Sequence, residues 1–137
     1  MKRSSRLIAL GGLSAATLLT GCLDSIVREM GPENHPTVTN TASAFSFKAD
    51  DMENVNDELI FTWNNSAPQA AFHHDSFIHH GYGIVIITDA AGVQVDSTLL
   101  ELDLEAETEV GTPGNWTIEL ILAGARGRVD FSLTPKP

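Results

Sequence analysis

A chain of 137 residues with 42% hydrophobic side chains makes at most one modest domain, which excludes a multidomain enzyme. Asp and Glu number 18 against 8 Lys and Arg, a formal charge of −10, so nucleic acid and anionic headgroups are poor partners. The single cysteine can form no bridge within the chain, and stability has to come from packing.

The first residues read as an address. Lys2, Arg3 and Arg6 stand without an acid ahead of the apolar run 7–19, which is too short and too rich in small residues for a spanning helix. The run closes on Leu19-Thr20-Gly21-Cys22, and the whole leader resembles that of bacterial lipoproteins. The resemblance implies cleavage after residue 21 and a diacylglycerol thioether at Cys22. With a second signal or chain such a lipid gives stable anchoring. Lipoprotein sorting in Gram-negative cells implies the outer membrane over the inner, because Leu23 rather than Asp follows Cys22. The expected location is the cell envelope, facing the periplasm or the exterior. Loss of the leader leaves Arg28, Lys48, Arg126, Arg128 and Lys136 against all 18 acids.

Residues 22–43 hold Gly31, Pro32, Pro36 and several Asn, Ser and Thr without a sustained period, which predicts a flexible linker of up to roughly 70 Å when extended. From Ala44 to Pro137 the hydrophobic period is two. Strands are predicted at 44–47, 59–63, 69–72, 82–88, 93–95, 100–105, 116–122 and 129–133. Turn material separates them, including 64–68, 89–92, 111–115 and 123–127. No helix-period segment competes, so the expected fold is an all-β, antiparallel immunoglobulin-like sandwich of seven to eight strands. The alternation assigns Phe45, Phe47, Phe61, Trp63, Ile84, Ile86, Leu102, Leu104, Trp116, Ile118, Leu120, Val129, Phe131 and Leu133 to the core.

The Asp89-Ala90-Ala91-Gly92 turn, the Gly114-Asn115-Trp116-Thr117 entry and the stretch from Gly124 to Phe131 resemble small exported bacterial domains of immunoglobulin-like or jelly-roll type. That resemblance implies the fold and brings no catalytic residue with it.

Three features invite chemistry. His73, His74, Asp75, His79 and His80 crowd into eight residues, and imidazoles suit zinc, copper or nickel if the segment bends so that the pairs face each other. The alternatives are an ordinary polar loop or a pH-responsive patch. Glu101, Asp103, Glu105, Glu107 and Glu109 recur at spacing two, which on a strand makes one acidic face. Such a strip either keeps edges apart or docks a basic partner. The run from Asp50 to Glu58 is rich in carboxylates and amides, a density of oxygen that suits calcium or a plain polar loop.

There is no nucleophile elbow, no phosphate-binding loop and no paired-cysteine motif. The sequence therefore predicts a non-enzymatic, lipid-anchored interaction module, a structural or accessory subunit binding another membrane or periplasmic protein. Periplasmic transition-metal binding through 73–80 is the second reading. A hydrolase or a carbohydrate-binding module ranks below both, since Trp63 and Trp116 fall in core register.

Overall fold

The computed structural model describes residues 27–101 and 104–137. The leader, Cys22, Leu102 and Asp103 lie outside the described residues. Among the described residues seven strands form: β1 (Thr37–Thr41), β2 (Ala44–Asn65), β3 (Gln69–His74), β4 (Phe77–Thr88), β5 (Gln94–Leu99), β6 (Leu104–Glu107) and β7 (Gly114–Lys136). Every pairing between them is antiparallel.

The architecture follows from strand length. Ordinary strands run five or six residues, whereas β2 has 22 and β7 has 23. They pair from Phe45 opposite Leu133 to Asn65 opposite Gly114. Along the other edge of β7, β3 and β4 follow one another like a single run, with Gln69 opposite Lys136 at one end and Thr88 opposite Thr117 at the other. In the gap between them the Asp75 amide donates to the Asp130 carbonyl at 2.9 Å.

A ribbon this long, apolar on one face, buries that face by folding onto itself. The crease runs across all three strands, where β2 slips register between Ala49 and Asp57 and β4 slips between Ile78 and Tyr82. Bulges supply the bend. Asp51 and Asn54 take φ of 52° and 57° there, a left-handed state that short polar side chains tolerate. Gly81 and Gly127 have φ of 70° and 123°, and a Cβ on Gly127 would collide with the Phe77 carbonyl. Arg126 to Glu53 and Arg128 to Asp75, each 2.9 Å, tie β7 to β2 and to the β3–β4 junction near the bend.

One half of the sandwich contains β1, the start of β2, the end of β7, β3 and β6, and the other contains the end of β2, the start of β7, the end of β4, and β5. An immunoglobulin domain divides its strands between two sheets, while here long strands pass through both halves. The inner faces meet at Phe61, whose ring lies 5.2 Å from Phe45 and 5.6 Å from Phe47. Phe131 sits within 6.0 Å of the rings of Phe45, Phe47 and Phe72. Trp63 and Trp116 pack edge to face, and each donates its indole N–H at 2.8 Å, to the carbonyls of Thr41 and Thr112. At the end opposite the crease, the Asp89 carboxylate accepts from the amides of Ala91, Val93 and Thr112 and pins the β4–β5 turn to the segment entering β7.

The all-β antiparallel sandwich holds, with seven strands and four corrections. The flexible linker does not extend to residue 43. Thr37–Thr41 pair with β2 as an edge strand, and because all five are exposed no apolar alternation marks them. Ahead of β1, Pro32–Asn34 form a single 3-10 turn, and the Met30 amide donates to Asp57 at 2.9 Å. The run 50–58 and the glycine-bearing stretch 123–127 are creased strand, not loop and turn. Inward residues of β4 are Val85 and Ile87, both fully buried, while Ile84 and Ile86 face outward.

Candidate functional site

The histidines do not converge. His74 points inward with Phe72, their rings 5.5 Å apart, and is buried in the core. His73 points outward on the same strand, as period two requires, with Nδ1 3.3 Å from Glu105. His79 and His80 are exposed on β4 within the crease, and Asp75 is engaged by Arg128. The segment 73–80 runs on beside β7 instead of turning back as a hairpin, so its two histidine pairs are spread along the chain rather than opposed across it. Among the described residues no group of three or more His, Cys, Asp or Glu is placed to hold a metal, at 73–80 or in the 50–58 run.

The acidic strip is likewise divided. Glu101 lies in the turn after β5, Glu105 and Glu107 are on the edge strand β6, and Glu109 follows it. Glu105 meets His73, and Glu107 meets Lys136 across the sheet. These two carboxylates border a shallow depression of about 670 Å³ with Ala71, Ser132 and Thr134, on the polar outer face of the half containing β6.

The other outer face is different in kind. Register puts its residues in rows across β2, β7, β4 and β5: Glu58, Ile121, Ile84 and Leu99, then Ile60, Glu119, Ile86 and Ser97. Nearer the loop end the rows turn polar, with Thr62, Thr117 and Thr88 followed by Asn64 and Asn115, whose side chains bond at 3.0 Å. Nearer the crease stand Ala123 and Tyr82. Ile60 is 62% and Leu99 50% exposed, and Ile84, Ile86 and Ile121 are partly buried beside them. Together they make an exposed apolar field on this sheet face, rimmed by Thr and Asn.

Two carboxylates sit inside that field. Partial burial pushes the Glu119 carboxyl above its ordinary range, and the Glu58 side chain beside it, by hydrogen bond and by charge, pushes the same way. Among the described residues neither carboxylate is in an ion pair with a Lys, Arg or His. Four of the five described Lys and Arg residues pair with other acids, Lys48 with Asp130, Arg126 with Glu53, Arg128 with Asp75 and Lys136 with Glu107.

The sequence carried a signal for this face. Leu59-Ile60-Phe61, Ile84-Val85-Ile86-Ile87, Leu99-Leu100 and Leu120-Ile121-Leu122 are apolar without alternation. An unbroken run on a strand means both faces are apolar, and only one can be core.

No protein-family model matches the chain, and no curated protein matches it. No helix among the described residues is long and apolar enough to cross a membrane.

Proposed function

We propose that this chain is a lipid-anchored interaction module of the cell envelope, a structural or accessory subunit that docks another membrane or periplasmic protein. The leader ending at Cys22 motivates the anchor. The observation that carries the docking is the apolar outer face of the four-stranded half, where Ile60, Ile84, Ile86, Leu99 and Ile121 surround the carboxylates of Glu58 and Glu119. That composition selects a partner surface with apolar side chains around a Lys or Arg. A cation placed between Glu58 and Glu119 relieves their repulsion, and the surrounding isoleucines exclude water from the pair.

The test is a photo-crosslinking amino acid placed in the lipidated full chain at Ile60 or Leu99, and at Ser46 on the opposite outer face. The expected result is one adduct of defined mass from positions 60 and 99, none from 46, and loss of the adduct when Glu58 and Glu119 are both changed to Lys. Equal labelling from both faces, or migration as a lone chain in mild detergent with no adduct, overturns the proposal.

A further inference from the structure

The chain enters the fold at the crease. The backbones of Arg28 and Val55 pair, with the Arg28 amide donating to Asn54 at 3.2 Å and the Asn56 amide donating back to Arg28 at 2.8 Å. Asn56 accepts in turn from the Gly124 amide at 3.0 Å, and Gly124 lies against Gly81, next to Tyr82. Val27 is therefore at the bend, and the turns at 41–44, 65–69, 88–94 and 111–114 are at the far end.

Only residues 23–26 separate Val27 from Cys22. Five Cα steps at ~3.3–3.6 Å reach at most about 18 Å, so a lipid on Cys22 holds the crease close to the bilayer. The surface it presents is unusual for an acidic domain. Val27 is 65%, Phe77 60% and Tyr82 45% exposed, and all three belong to the crease end. Exposed aromatic rings there match the boundary between headgroups and acyl chains. Asp50, Asp51 and Glu53 share that end with Arg126 and Arg128, which are already paired with Glu53 and Asp75, so it offers no basic cluster for anionic headgroups and zwitterionic ones suit it.

We infer that the crease end of the sandwich lies against the bilayer, with Val27, Phe77 and Tyr82 at the headgroup boundary and the loop end directed away. This rests on the reading of Cys22 as the lipidated residue. It fixes the orientation of the apolar docking face, which stands upright on the membrane with its apolar rows near the lipid and its Thr and Asn rows distal. The partner then meets the domain beside the bilayer, as a membrane protein's extramembrane base does.

Because the chain has one cysteine and the lipid occupies its sulfur, an introduced cysteine is the sole thiol. The experiment uses the lipidated full chain in phosphatidylcholine vesicles, with a nitroxide at Val27→Cys, Phe77→Cys, Tyr82→Cys or, distally, Asn64→Cys. All four positions are exposed, so labels there leave the core intact. Collision with a water-soluble nickel relaxant should be several-fold lower at 27, 77 and 82 than at 64, and collision with oxygen higher. Labels equally open to the aqueous relaxant at both ends, or immersion at 64, overturn the inference. Intact mass is read first. A chain whose Cys22 carries no diacylglycerol overturns the anchor itself, a failure distinct from a lipidated chain whose crease stays in water.

Discussion

Ile86 and Ile87 are adjacent and chemically identical, and the fold treats them oppositely. Ile87 is fully buried opposite Ile118 in the core, whereas Ile86 faces out opposite Glu119. Truncating a buried isoleucine to alanine costs ~2–5 kcal/mol, through lost burial and the cavity left behind. The outward isoleucine leaves no cavity, and its replacement should stay within the ~1 kcal/mol span of strand preference. At roughly 4 °C per kcal/mol for a domain of about 110 residues, Ile87→Ala should lower Tm by roughly 8–20 °C and Ile86→Ala by a few degrees at most. Urea titration followed by tryptophan fluorescence reads the difference directly, since Trp63 and Trp116 are both fully buried. Equal losses, or a larger loss for Ile86→Ala, would refute the register of β4 and with it the outward apolar face.

Further expectations concern charge. Three backbone amides, those of Thr112, Val93 and Ala91, hold the Asp89 carboxyl below the usual range against the opposing effect of its burial. The unfolded chain then takes up this proton at a higher pH than the folded one, so the stability Asp89 supplies is present above the ordinary carboxylate range and lost as pH falls through the folded value. Asp89→Asn should flatten the acid limb of a Tm-against-pH curve, and an unchanged limb contradicts the assignment. Glu119 has the opposite sign, because its raised carboxyl keeps a proton that the unfolded chain has released. Glu119→Gln should therefore stabilise near neutrality and lose that advantage in acid, as a melt series at both pH values will show. Zinc titration of the wild type and of a His73→Ala, His79→Ala double variant should give the same weak binding, and selective loss in the variant would show that the histidines do converge.

The sequence made most of the strands legible because alternation survives wherever one face meets water. The runs around Phe45, Trp63, Trp116 and Phe131 point inward as their period requires. It failed at the crease for a physical reason. Polar residues and glycines at 50–58 and 123–127 carry the composition of a loop, and bulged strand uses the same residues as a turn, since both need left-handed backbone and relief from side chains. Whether such a segment reverses the chain or bends it depends on what pairs alongside, which is information held some seventy residues away in β7. The histidine cluster failed with it. Proximity in sequence became separation in space once 73–80 proved to be one extended path. β4 was misphased because Ile84-Val85-Ile86-Ile87 offers no polar residue to mark the outside.

β7 comes last in chain order among the described strands, and β2, β3 and β4 all pair with it. A growing chain that has not reached Gly114 has no common neighbour for those strands, and the pairs that define the sheet join Phe45 with Leu133 and Trp63 with Trp116. Long-range pairing of this kind forms slowly and late. The hairpins β1–β2 and β4–β5 pair without β7, but nothing joins one to the other until β7 lies between them, so the sandwich condenses around its most distant contacts instead of growing outward from a local nucleus.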